Sequence, residues 1–201
     1  MKKTPFFLLL FFFAAYGQQE QSFLDSRDGK KYRVVKIGNQ TWMGENLNYN
    51  PGTGISACYD NEPGYCTKYG RLYDWETAMK TCPPGWHLPN QEEWNTLSSY
   101  VESNSGCSRC NAIKLKDTSD WCNNGYNTDD YGFSALPGGG NSKSDGHFHS
   151  MCNWGYWWSA SDYYSYSDYA YTWVMYYGSN YAYWSNSFKS ELQSVRCLQD
   201  Y

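Results

Sequence analysis

The sequence predicts an α+β domain of short helices and short strands stapled by disulfides, and three observations carry that expectation. The stretch Cys82-Pro83-Pro84-Gly85-Trp86-His87-Leu88-Pro89-Asn90 is a rigid turn that delivers a helix start. Its prolines fix φ and stop any helix arriving from upstream, and Asn90 can cap a new helix, with Glu93 three residues on placed close to a capping box. Segments such as Tyr32-Arg33-Val34-Val35-Lys36-Ile37, alternating and β-branched between Gly- and Asn-bearing turns, read as strands. Eight cysteines, an even number, follow an export-type leader and point to disulfides.

The leader is read from Lys2 and Lys3, the apolar run Phe6 to Phe13, and the small residues Ala15 and Gly17 before Gln18. That run is too short to span a bilayer as a helix, and no later apolar run is long enough. The chain is therefore expected to comprise a signal peptide (1–17), a loose polar lead-in (18–24) and one domain (25–201), secreted or held at the cell surface without a membrane span. The whole chain has a formal net charge of −4. Removing Lys2 and Lys3 leaves 14 basic side chains (16 less two) against 20 acidic ones. An acidic chain without basic clusters is a poor partner for nucleic acid or an anionic membrane.

Within the domain, Tyr32 to Ile37 and Gln40 to Met43 form a strand pair turning at Gly38-Asn39, and Asn46 to Gly54 is loop. Cys58 and Cys66 bracket a short acidic turn and are expected to pair locally. Arg71 to Lys80 has helical spacing, with Leu72, Trp75 and Met79 facing one way. A second helix, about Gln91 to Glu102, carries the stripe Trp94, Leu97 and Val101, and a short one is expected at Ala112 to Lys116. Phe133 to Leu136 reads as a short strand and Pro137 to Asn141 as a tight, flexible loop lacking the Lys-Ser/Thr of a nucleotide-binding turn. Later candidate strands are Tyr156 to Ser159, Tyr169 to Tyr177, Tyr181 to Trp184 and Ser194 to Leu198, with a hairpin turn at Gly178-Ser179-Asn180.

Several of these stretches resemble one family. Ile37-Gly38-Asn39-Gln40-Thr41-Trp42-Met43-Gly44-Glu45-Asn46-Leu47, Tyr69-Gly70-Arg71-Leu72-Tyr73 and the Cys82 to Pro89 turn are similar to hallmarks of the Fibrobacter succinogenes major paralogous domain. So are Thr128 to Gly139, Trp157-Trp158-Ser159-Ala160-Ser161 and Ser194-Val195-Arg196-Cys197. The resemblance covers about Asp25 to Tyr201. It implies a C-type-lectin-like fold related to formylglycine-generating enzymes, in which two short helices flank small twisted antiparallel sheets and the two ends of the chain lie side by side. It also implies a Cys82–Cys197 disulfide. Cys107–Cys110 and Cys122–Cys152 are paired from proximity in sequence alone.

Chemistry is sparse. Cys107 and Cys110 with His147 and His149 fit no common zinc module. His87 lies in the helix-start turn and reads as structural, and no nucleophile-elbow motif offers a catalytic serine. Asp129, Asp130 and Asp145 have no fixed separation that would make a glycosidase pair. The sugar-coordinating calcium loop of lectins is absent: Glu62-Pro63-Gly64 lacks the amide and Trp184-Ser185-Asn186 lacks the second carboxylate. No cofactor is expected, a structural calcium at Asp129 and Asp130 being the one metal reading left open.

The remaining signal is compositional. Between Asn153 and Phe188, 22 of 36 residues are Tyr, Ser, Asn or Asp. Tyrosine offers amphipathic contact area with few rotatable bonds, and Ser and Asn add adaptable hydrogen bonds. Trp157, Trp158, Trp173 and Val174 are assigned to the core, and the binding surface to Tyr163, Tyr164, Tyr166, Tyr169 and Tyr171, then Tyr181 and Tyr183. The expected function is non-catalytic binding of an extracellular polysaccharide or surface protein. The alternatives are a metal-dependent or oxidase enzyme of the formylglycine-generating type and a structural component of the cell envelope.

Overall fold

The computed structural model describes residues 21–122, 126–142 and 146–201; the leader, its cleavage site and Asp145 lie outside these residues. The chain opens with β1 (Gln21–Leu24), β2 (Lys31–Ile37) and β3 (Gln40–Met43), joined antiparallel. Gln21–Leu24, expected in a loose lead-in, instead pairs with β2. Phe23 explains the difference, since its ring meets Trp86 with centroids 5.2 Å apart. The turn into β3 needs Gly38: φ is +62°, and a Cβ there would sit 2.8 Å from the Tyr100 ring.

Next come β4 (Ser56–Ala57), α1 (Pro63–Tyr69), β5 (Leu72–Tyr73), α2 (Trp75–Thr81), β6 (Trp86–His87), α3 (Gln91–Asn104) and α4 (Asn111–Leu115). The segment closed by Cys58 and Cys66 is more than a turn, because Pro63 starts α1 within it. The helix expected from Arg71 begins only at Trp75, capped by the Asp74 carboxylate. Leu72 belongs to β5, where it pairs with Ala57 on one side and Ser194 on the other. Sheet pairing overrides the helical spacing there, and Met79 is left 41% exposed while Trp75 and Ala78 face inward. α3 follows expectation, with the reciprocal Asn90–Glu93 capping box and Trp94, Leu97 and Val101 fully buried.

The last part supplies β7 (Gly140–Asn141), β8 (Phe148–His149), β9 (Trp154–Asp162), β10 (Tyr169–Tyr176), β11 (Tyr183–Phe188), β12 (Gln193–Ser194) and β13 (Leu198–Gln199). Phe133–Leu136 forms only a single bridge, Lys116 to Ala135, rather than a strand. Pro137 to Gly140 is buried, so the glycines there are not a flexible loop. A Cβ on Gly139 would run into the backbone of His149 and Met151. The expected Ser194 to Leu198 strand is two short ones that serve different sheets. The order is β1-β2-β3-β13-β6 in one sheet and β11-β10-β9-β12-β5-β4 in the other, with β7-β8 as a small third pair. The architecture is thus α+β, with several small, mainly antiparallel sheets. All eight cysteines pair as expected, 58–66, 82–197, 107–110 and 122–152, with Cα separations of 5.0 to 6.0 Å.

Indoles fill the core. Trp94 stacks on Trp173 at 4.4 Å and lies 4.8 Å from Trp42, with Phe133 edge-on to all three. Arg196 lies 4.4 Å over the Phe133 ring of this cluster, fully buried and without a salt bridge among the described residues. It donates to Asn46 Oδ1 at 2.7 and 3.1 Å, and to the carbonyls of Met43, Phe133 and Ser134. Asn46 also accepts from Trp157 Nε1 at 2.8 Å and donates to the Tyr69 carbonyl at 2.8 Å. Burial pulls the guanidinium pKa down, to about 9, which still leaves it charged at neutral pH.

Candidate functional site

The tyrosine-rich segment is built on the β9–β10 hairpin. Its connection, 163–168, is closed by backbone bonds from Tyr163 N to Tyr169 O and from Tyr169 N to Tyr166 O, both 3.1 Å. Lys189 fastens it from the side, donating its N–H to Asp168 O at 2.8 Å and pairing its ammonium with Asp162. The same ammonium lies 4.2 Å over the Trp75 ring, which ties the hairpin to α2.

On this support five of the proposed tyrosines gather. Tyr163 is the hub, with Tyr164 at 5.0 Å, Tyr171 at 5.2 Å and Tyr166 at 6.3 Å and nearly parallel. Tyr169 meets Phe188 at 4.2 Å, and Tyr171 meets Trp184 at 5.8 Å. The pleat places these partners together, because Tyr169 is opposite Phe188, and Tyr171 is opposite Asn186 between them. Trp184 Nε1 donates to Asn95 on α3 at 2.8 Å, which fixes the inner border. Tyr164 is 83% exposed and Tyr166 65%, while Tyr163, Tyr169 and Tyr171 are half-buried. Ser165, Ser167 and Asn186 are exposed around the rings. Trp157, Trp158, Trp173 and Val174, assigned to the core, are buried.

Tyr181 and Tyr183 do not join this group. Tyr183 pairs with Val174, so the two-residue period turns it to the other face of the sheet. There it approaches Trp154 at 6.4 Å, alongside Tyr156 and Tyr176. Tyr181 neighbours Tyr183 and lies under the Arg109 guanidinium at 4.1 Å. Sequence reasoning did not single out this second aromatic group; its signal is the i, i+2 placement of Trp154 and Tyr156 in one strand.

The other candidate groups are engaged locally. His87 bridges Glu93 at 2.9 Å and Asp200 at 2.6 Å. Asp129 accepts from the N–H and hydroxyl of Ser134, and Asp130 pairs with Lys114 at 2.7 Å. Burial raises the Asp129 pKa against those bonds, whereas the Lys114 bond lowers that of Asp130. Among the described residues no three His, Cys, Asp or Glu side chains gather as metal ligands. A cleft of about 410 Å³ beside β2 is lined by Lys30, Arg33 and Lys68, each already paired with Asp28, Glu45 or Asp120.

The residues that carry the sequence resemblance meet at the Arg196–Asn46 hub: Asn46, Tyr69, Phe133, Ser134 and Trp157 all contact it. A family model, the Fibrobacter succinogenes major domain, matches residues 35–199. The chain belongs to this family. No curated protein and no solved structure matches the chain. In this Fibrobacter succinogenes major domain the matched span includes both aromatic faces of the second sheet and leaves β1 outside. No helix among the described residues is long and apolar enough to cross a membrane.

Proposed function

We propose that this chain is an exported, non-catalytic binding module of C-type-lectin-like fold whose tyrosine surface holds an extracellular polysaccharide. The observation that carries the reading is the open cluster of Tyr163, Tyr164, Tyr166, Tyr169 and Tyr171, with two rings largely in water yet held by a pinned hairpin. Flat rings edged with hydroxyls suit the alternating apolar and polar faces of a sugar chain. The surrounding Ser165, Ser167 and Asn186 supply neutral hydrogen-bonding groups, Asp162 and Lys189 are paired with each other, and Asp168 adds a single exposed carboxylate at the hairpin. Such a surface attracts a neutral polymer without long-range steering.

The test is retention of the protein on cellulose, xylan and mannan, compared with a Tyr164→Ala, Tyr166→Ala double variant. Affinity is expected to fall roughly tenfold or more, as for aromatic anchors at other interfaces. Unchanged retention in the double variant would overturn the assignment. Failure to bind any polysaccharide, with capture of a surface protein that the double variant loses, would move the partner to protein.

A further inference from the structure

The opposite face of the same sheet carries a feature the tyrosine surface does not explain. A cleft of about 190 Å³ opens between the β7–β8 pair, β9 and the β11–β12 connection. Gly140 and Asn141 form one side, His149 and Tyr156 another, and Ser187, Glu191 and Gln193 the third. Its volume is below the several hundred Å³ of pockets that enclose drug-sized ligands, and matches one ring-sized unit.

Two of its polar groups stand out as acceptors. Gln193 is 3% exposed, and its side-chain oxygen is buried with no hydrogen-bond partner among the described residues. A buried acceptor left this way costs stability unless something fills the role. Glu191 stands beside it as a half-buried carboxyl that already takes a hydrogen bond from Ser187, and burial holds its pKa above the usual range. Both invite donors from a ligand. One carboxylate is too few for a divalent cation, which gathers several hard oxygens.

The wall is apolar and layered. Tyr156 lies nearly parallel to Trp154, 4° between planes and 5.9 Å between centroids, with Tyr176 4.4 Å from Trp154. His149 stands edge-on to Tyr156 at 6.2 Å. Gly140 leaves room at the corner: a Cβ there would press on the Leu192 carbonyl oxygen at 3.2 Å and touch the Tyr156 ring at 3.6 Å and that of His149 at 3.8 Å.

We infer that this cleft is a second binding site, separate from the tyrosine surface, that takes a single neutral sugar ring through adjacent hydroxyls donated to Gln193 and Glu191 while the ring lies against Tyr156. The inference does not depend on the tyrosine-surface reading, since Tyr164 and Tyr166 lie on the other face.

The probes are methyl glycosides of glucose, mannose and galactose, with choline and calcium as cationic alternatives, and the readout is NMR shifts of the His149 ring and the Trp154 indole. At least one glycoside is expected to shift both signals. Gln193→Met should weaken that binding roughly tenfold, the worth of one hydrogen bond to a buried acceptor, while melting no lower than the parent because an orphaned polar atom is removed. If Gln193→Met does not fold, Gly140→Ala, which narrows the corner, must weaken the same glycoside. The Tyr164→Ala, Tyr166→Ala variant should keep the response; losing it would overturn the separateness of the site. Absence of any glycoside shift, a response indifferent to Gln193→Met and Gly140→Ala, or a response to choline or calcium alone would overturn the proposal.

Discussion

The strands β9 and β10 contribute aromatic rings to two regions with opposite chemistry. At the buried end, Trp157 and Trp158 each have an assigned hydrogen-bond acceptor, Asn46 and the Tyr73 carbonyl, and Trp173 is stacked on Trp94. At the hairpin end, Tyr163, Tyr164 and Tyr166 meet chiefly one another. The difference teaches that aromatic content does not define a core. A buried indole nitrogen usually takes an acceptor, Trp94 Nε1 being the exception among the described residues, whereas a phenol can leave its oxygen in water and still cover apolar area. Along β9, β10 and their connection, the indoles of Trp157, Trp158 and Trp173 build the frame, and the phenols of Tyr164 and Tyr166 stay available.

The largest expected effect comes from breaking the frame at its polar centre. Asn46→Ala removes the acceptor shared by Arg196 and Trp157. Removing one partner of a buried charge typically costs several kcal/mol. Three backbone carbonyls remain for Arg196, so about 3 kcal/mol is expected, or roughly 10 °C in Tm for a chain of this size. Thermal unfolding followed by near-ultraviolet circular dichroism measures it. Asn46→Asp, which restores an acceptor for the guanidinium, should recover part of the loss. A change below about 1 kcal/mol would mean that the carbonyls alone carry the charge and that the hub does not organise the core.

A smaller effect separates the two regions by pH. Burial works against charging His87, but the bonds to Asp200 and Glu93 outweigh it, and the net result is a pKa above the ordinary histidine value of 6.5. A raised folded-state pKa gives stability that is fully present below about 6.5 and lost as pH rises through the folded value. Lys116 acts in the opposite sense at higher pH. Burial lowers its pKa to about 8, so stability recovers as pH climbs from there toward its unfolded value. Denaturant midpoints should therefore fall from pH 6 toward 8, and His87→Gln should flatten that slope. Binding at the tyrosine surface should stay level over the same interval. Parallel loss of binding and stability in the parent protein would show that the surface is coupled to the frame.

Legibility in the sequence followed the range of the interactions. α3 was readable because its cap, Asn90 and Glu93, and its stripe, Trp94, Leu97 and Val101, are local. The Cys58–Cys66 pair was readable for the same reason, and Cys82–Cys197 only through family resemblance. Leu72 was misread because helical spacing fitted it, while its strand partners Ala57 and Ser194 are remote in sequence. The Arg196–Asn46 hub joins residues 150 apart, and nothing in either neighbourhood announces a buried guanidinium. The tyrosine surface was visible as composition, but composition could not divide it. Only the pairing of Tyr169 with Phe188 and of Val174 with Tyr183 sends Tyr183 to the other face. The cleft at Gln193 is assembled from three separate segments and had no sequence signal as a site.

The smallest and most discriminating effects lie along the boundary between frame and surface. Alanine substitutions at Tyr171, Tyr169 and Tyr164 sample it from the half-buried rings to the exposed one. Tyr171 touches both Tyr163 and Trp184, so it should cost about 1–2 kcal/mol, and Tyr169, with its close Phe188 contact, about 1. Tyr164 should cost no more than about 0.5 kcal/mol, as for exposed positions generally. Polysaccharide binding should run in the reverse order of stability for the variants that fold, with Tyr164 losing the most binding for the least stability. The order matters more than any single value. A Tyr164 cost equal to that of Tyr171 would mean that the hairpin rings hold one another in place as a small core of their own, and a ring needed for its own scaffold has no free face to offer a ligand.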